Sequence, residues 1–76
     1  MTELLTQIIR QMVDKPDEVV LNPVQTDRGT VLQIQVAQED VGKVIGREGR
    51  IINALRQIVK AAAGKRNQRV TIELQN

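Results

Sequence analysis

Apolar residues recur along the chain in two rhythms. Between residues 2 and 14 they fall at Leu4, Leu5, Ile8, Ile9, Met12 and Val13, two adjacent rows spaced four apart. That spacing predicts an amphipathic helix with one broad apolar stripe. Thr2 suits its N-cap, and Glu3 sits where the helix dipole favours an anion. Pro16 is expected to end the helix, because the residue before a proline is pushed out of the α region. The rhythm then changes. Residues 18–26 are rich in β-formers but contain Pro23, which has no ladder donor and predicts an edge or broken strand. Asp27-Arg28-Gly29 reads as a turn. Beyond it, Leu32, Ile34 and Val36 alternate with Gln33 and Gln35, as in a half-buried strand, so that 18–37 forms a hairpin.

A helical rhythm returns over residues 38–45, with Glu39 and Asp40 in the first turn and Val41, Val44 and Ile45 on the apolar side. It is broken at Gly46-Arg47-Glu48-Gly49. Residues 50–63 resume it, with a stripe of Ile51, Ile52, Leu55, Ile58, Val59 and Ala62, and Gly64 is expected at the left-handed position just past the end. After a polar turn at 65–68, Val70, Ile72 and Leu74 mark a final strand over 69–75. The order is αββααβ. The second strand, the two middle helices and the last strand make a crossover unit able to pair those strands in parallel. This predicts an α+β fold of two layers, a three-stranded mixed sheet with helices packed on one face, as one domain over residues 1–76.

Composition narrows the chemistry. A chain of 76 residues buries only about 60% of its unfolded surface, so modest stability or help from association is expected. There is no cysteine, which excludes disulfides and thiolate metal sites, and no His, Ser, Tyr, Trp or Phe. The usual general base, nucleophiles and stacking platforms are therefore absent, and neither an enzyme nor a metal or cofactor site is expected. The clustered acids Asp14, Asp17 and Glu18, and Glu39 and Asp40, read as helix-end and turn residues. No apolar run nears the roughly 18 residues of a membrane span. Glu3 also stands where a signal peptide would carry positive charge, so a soluble cytoplasmic chain is expected.

The net charge is +2, but it is unevenly spread. Residues 1–42 carry three cations against seven acids, net −4, and residues 43–76 carry eight against two, net +6. The basic half begins at the glycine break. Such asymmetry fits a polyanion on one side of the molecule, or a solvated basic helix face.

A glycine inside a helix costs roughly 1 kcal/mol relative to alanine, so two at this break need a reason. They allow a tight turn between helices and close approach of a ligand. The second helix then presents its N-terminal amides and dipole to an anion above the loop, with Lys43, Arg47 and Arg50 around it. Gly42-Lys43 is followed by Val44 within a helix, not by Ser or Thr after a strand, so this is no Walker loop. A Gly-x-Gly-x-x-Gly dinucleotide fingerprint is also absent.

The stretch VGKVIGREGRIINALRQIVKAAAGK resembles the core of a K-homology (KH) domain, with its Ile-Gly-x-x-Gly loop between two helices. The αββααβ order resembles the bacterial type II version. The length, with the match running over essentially the whole chain, resembles the small RNA-binding proteins of the KhpA family. The resemblance implies single-stranded RNA binding, the loop clamping about four nucleotides. By position, Gly46, Arg47, Glu48 and Gly49 match the clamp, flanked by Lys43 and Arg50. Val41, Val44 and Ile45 match the helix walling the groove. Leu32, Ile34 and Val36 lie on the strand expected opposite, some of them as core.

The resemblance further implies a cytoplasmic post-transcriptional regulator or RNA chaperone, as a homodimer or with a larger KH-containing protein of the KhpB type. The alternative is mainly a docking module with weak RNA binding of its own. A KH groove holds bases against aliphatic side chains and a backbone edge, so it does not need aromatic residues. Glu48 puts an acid where phosphates would pass: either it faces solvent, paired with Arg47 or Arg50, or the loop binds RNA weakly. Arg56, Lys60, Lys65, Arg66 and Arg69 either extend the RNA track or are simply solvated. Replacing Gly46 and Gly49 by Asp is expected to keep the fold and abolish binding.

Overall fold

The N-terminal segment folds as helix α1, Thr2–Met12, in a computed structural model that describes residues 2–75. Met1 and Asn76, the ends of the expected 1–76 unit, lie outside the described residues. Thr2 already belongs to the first turn of the helix and so is not its N-cap. The helix stops at Met12, before the expected Asp14, and Pro16 opens a 3-10 turn over Pro16–Glu18. Proline suits that opening position because its φ is preset and no intrahelical bond needs its missing N–H.

Strands β1 (Val20–Thr26) and β2 (Gly29–Gln35) form the hairpin, antiparallel with Val20 opposite Gln35 and Thr26 opposite Gly29. Strand β3 (Val70–Leu74) pairs with β2 in parallel, Leu32 opposite Ile72. The sheet order β1-β2-β3 puts Pro23 on an edge strand, where its missing donor is harmless. Between β2 and β3 lie a 3-10 turn (Gln38–Asp40), helix α2 (Val41–Ile45), a second such turn (Arg47–Gly49) and helix α3 (Arg50–Gly64). This is the expected αββααβ order and mixed sheet.

One face of the sheet carries Leu32, Ile34 and Ile72, and α1 and α3 pack there through Leu5, Ile9, Ile52, Leu55 and Val59. Leu32, Ile34 and Val36 are all buried in this core, which corrects their assignment to a groove wall. As the central strand, β2 has neighbours on both edges, and its apolar face is covered by helices. Each helix buries one of its two apolar rows. On α1, Leu5 and Ile9 are inside while Leu4 and Ile8 are exposed; on α3, Ile52, Leu55, Val59 and Ala63 are inside while Ile51, Ile58 and Ala62 are exposed. A single sheet face covers only one row. Helix α3 also runs through Gly64, so the left-handed residue of the following turn is Asn67 (φ 54°) and not Gly64. Asn adopts that region more readily than most residues.

Candidate functional site

Helix α2 is stopped at Gly46, whose φ of 77° and ψ of 173° lie outside the range of residues with a side chain. Its N–H closes the helix on Gly42 O at 2.9 Å. A Cβ at Gly46 would stand 2.6 Å from Ile51 Cγ1, so both backbone angle and space call for glycine. One 3-10 turn follows, with Gly49 N–H donating to Gly46 O at 3.1 Å, and Gly49 then caps α3 from the left-handed region. Glu48 is also left-handed, with φ 57° and ψ 25°.

The N–H groups of Arg47 and Glu48 find no acceptor among the described residues. They sit beside the positive dipole end of the fifteen-residue α3, an arrangement suited to an anion. The side chains of Arg47, Glu48 and Arg50 are exposed. Glu48 pairs with Arg50, Oε2 to Nη2 at 3.8 Å. Such an exposed pair contributes little and yields readily to a phosphate.

Lys43 departs from the expected cluster. Its ammonium hydrogen-bonds Asp14, just past α1, and lies 3.6 Å from Asp40 Oδ1. Asp40 is 0% exposed. Its two carboxylate oxygens accept from the backbone N–H groups of Asp14 (3.1 Å) and Lys15 (3.0 Å). A buried carboxylate needs such partners. Burial opposes its ionisation, but the two amide bonds and the Lys43 ammonium outweigh burial and hold the carboxyl below its usual range. The Asp14 hydrogen bond raises the Lys43 pKa in turn, against the effect of burial. Lys15 Nζ meets Glu39 Oε2 at 2.9 Å beside them. These contacts staple the start of α2 to the end of α1 and fix the helix that leads into the loop. Lys43 serves this staple because α2 places it one turn after Asp40.

Of the expected helix wall, Val44 is wholly buried and Val41 partly so, and both belong with the core. Ile45 is exposed before the loop and Ile51 after it.

The open wall lies elsewhere. Gly49, Asn53, Arg56, Lys60 and Gly64 are spaced three or four apart, one row along α3 leading away from the loop. Arg56 donates to Asn53 Oδ1 at 3.3 Å. Arg56, Lys60 and Gly64 line a cleft of about 690 Å³ whose far wall is Arg69, Val70, Thr71 and Ile72. That wall is the outer edge of β3, which has a strand on one side only. Thr30 N–H donates to Arg69 O (2.9 Å) and Gln75 N–H to Ile34 O (2.8 Å), so the odd-numbered peptides face β2. The even-numbered ones, at Val70, Ile72 and Leu74, turn their N–H and C=O groups to the open edge. The periodicity marked the last strand but not its place at the rim. That place follows from the parallel pairing, and it moves the groove wall from β2 to β3.

Among the described residues no cluster of metal-ligating side chains occurs, and no helix is long and apolar enough to cross a membrane. The site offers amide and guanidinium donors for an anion, a strand edge for a partner with donors and acceptors of its own, and aliphatic surface between them.

The KhpA/KhpB KH-domain family model matches residues 2–74. The chain is 47% identical over 72 residues to the RNA-binding protein KhpA of Borreliella burgdorferi, covering 95% of this chain and 88% of that protein. It is 47% identical over 74 residues to the protein of the same name from Clostridium acetobutylicum, covering 97% and 99%. It is 38% identical over 74 residues to that of Listeria monocytogenes, covering 97% of each. These names describe binding rather than catalysis. With the αββααβ order and a Gly-x-x-Gly turn between α2 and α3 in place, the chain belongs to the KhpA/KhpB family of KH domains.

Proposed function

We propose that this chain binds single-stranded RNA, with phosphates at the Gly46–Gly49 turn and bases in the cleft between α3 and β3. The observation that carries the reading is the presence, along one helix α3, of two free loop amides and two exposed arginines at its start and a cleft with an open strand edge from Arg56 onward. The relatives' shared name supports it. Phosphate alone would be satisfied by the loop; the strand edge adds donors and acceptors for the base edges of an unpaired strand. Aliphatic surface at Ile45, Ile51 and Val70 takes the place of aromatic stacking. On this reading the protein acts in the cytoplasm as a post-transcriptional regulator or RNA chaperone.

The test is a salt titration of binding to a labelled single-stranded RNA. Three or four phosphate contacts predict a slope of log K against log salt of about −2 to −3. Binding indifferent to salt overturns the reading.

A second reading is favoured by the uncovered apolar rows, with Leu4 67% and Ile58 59% exposed. On it, the chain associates with a second copy or with a larger KH-containing protein of the KhpB type. Sedimentation at tens of micromolar, alone and with such a partner, tests this. A strict monomer in both cases defeats it.

A further inference from the structure

The cleft between α3 and β3 does not end at the last turn of α3. It meets a second cleft, of about 550 Å³, and the two share Gln68, Arg69 and Val70. The second cleft rounds the 65–69 turn to the hairpin, where Pro23, Gln25, Thr30 and Arg66 line it. The Thr30 N–H bond to Arg69 O holds the start of β3 against the hairpin, and a Cβ at Gly29 would collide with that same carbonyl oxygen.

Charge distinguishes this path from an ordinary solvated surface. Arg56 and Lys60 stand along the first cleft, Arg66 and Arg69 along the second. None of the four forms an ion pair among the described residues; Arg10, Arg28, Arg47 and Lys65 form none either, so what sets this path apart is that its cations line connected clefts. No acid lines either cleft among the described residues, although the chain holds nine. A connected path with unneutralised cations on each segment fits a phosphodiester chain. The Thr30 hydroxyl, bonded to Gln25 Oε1 at 3.2 Å, and the Gln68 amide add polar groups for sugar or base edges.

We infer that the second cleft is an additional single-stranded RNA subsite, in which Arg66 and Arg69 hold phosphates of nucleotides beyond those held at the loop and the α3–β3 cleft. The inference rests on the proposed RNA-binding reading and extends its footprint past about four nucleotides.

The experiment compares oligouridylates of about four and about ten nucleotides, the latter within the span that single-strand sites reach, on wild type, Arg66→Ala/Arg69→Ala and Arg66→Lys/Arg69→Lys. Two further phosphates steepen the salt slope for the long RNA by about 1.4, so its advantage over the short one falls about sevenfold between 50 and 200 mM salt. The expected result is this difference in wild type, its retention in the double Lys variant and its loss in the double Ala variant; because Arg69 also borders the α3–β3 cleft, the readout is the gain in slope with RNA length within each protein and not the short-RNA affinity. If wild type binds short RNA but gains no slope with length, or if the double Ala variant keeps the gain, the subsite is refuted and the loop reading stands. If wild type binds neither RNA, the RNA-binding reading itself fails and the subsite with it.

Discussion

Gly46→Ala tests whether the glycine break is imposed by geometry. The φ of 77° with ψ of 173° lies in a region essentially confined to glycine, at a cost of about 1–3 kcal/mol for another residue. The new methyl would also stand 2.6 Å from Ile51 Cγ1 and 2.9 Å from its Cβ and Cδ1, and overpacking of this kind adds about 1–3 kcal/mol. Together the loss is about 2–6 kcal/mol, a large part of the roughly 5–15 kcal/mol that holds a typical domain together. Gly42→Ala is the control four residues earlier. It lies in α2, a Cβ there meets nothing within 4 Å, and alanine should stabilise by about 0.5–1 kcal/mol.

Urea unfolding followed by far-ultraviolet circular dichroism reads both variants, because the chain has no aromatic residue to report by fluorescence. With a slope near ~1 kcal/mol per molar urea, the Gly46→Ala midpoint drops by about 2 M or more at unchanged slope, and that of Gly42→Ala rises. Adding Ile51→Ala to Gly46→Ala removes the Cγ1 and Cδ1 clashes but keeps Cβ at 2.9 Å, so it should restore part of the steric loss and leave the backbone part. Ile51 is half exposed, so its own truncation costs little. A Gly46→Ala midpoint equal to wild type, or a loss of the same size at Gly42, refutes the reasoning.

Three further outcomes follow from the same geometry. Asp40→Asn lowers the urea midpoint, since it removes the charge facing Lys43 and one acceptor for the Asp14 and Lys15 amides. The folded carboxyl ionises below its ordinary value of 3.8, so wild-type stability from this group is complete above that pH and is lost as pH falls below it. The acid limb of a stability–pH profile should therefore be flatter in the Asn variant. Lys43→Ala weakens the fold but leaves the salt slope of RNA binding unchanged, because the ammonium is engaged by Asp14 and Asp40; a shallower slope would place Lys43 on the RNA. Glu48→Gln removes an acid beside the phosphates and a competitor for Arg50 at 3.8 Å, so affinity rises several-fold at low salt. Unchanged binding would mean that neither Arg50 nor Glu48 faces the phosphates.

The parts of this fold set by local backbone chemistry were legible in the sequence. Gly46 and Gly49 marked the turn between α2 and α3, Pro23 marked an edge strand, and the alternation of Leu32, Ile34 and Val36 marked a strand with one covered face. What depends on a partner across space was not. Leu4 and Leu5 are equally apolar, and only the position of the sheet decides that Leu5 is core while Leu4 is exposed. Lys43 stands four residues before Arg47 and reads as part of the loop cluster, until the end of α1 brings Asp14 and Asp40 to it. Strand alternation likewise gives β2 and β3 the same signature. The sheet order alone leaves β3 with a free edge and moves the open wall away from Leu32, Ile34 and Val36.

The packing at Gly46 also decides how the central claim is best tested. Aspartate at Gly46 would disturb the fold as alanine does, contrary to the expectation that both glycines tolerate it. Arg47 and Glu48 are exposed, and aspartate tolerates the left-handed backbone of Glu48. The decisive measurement is the fluorescence anisotropy of a short labelled single-stranded RNA titrated at low salt with wild type and with Arg47→Asp/Glu48→Asp, both first matched in urea midpoint. The account predicts binding by wild type and an affinity at least about tenfold lower for the variant, whose loop is more negative by two charges where phosphates pass. Equal binding by the two proteins would contradict it and take the RNA away from the Gly46–Gly49 turn.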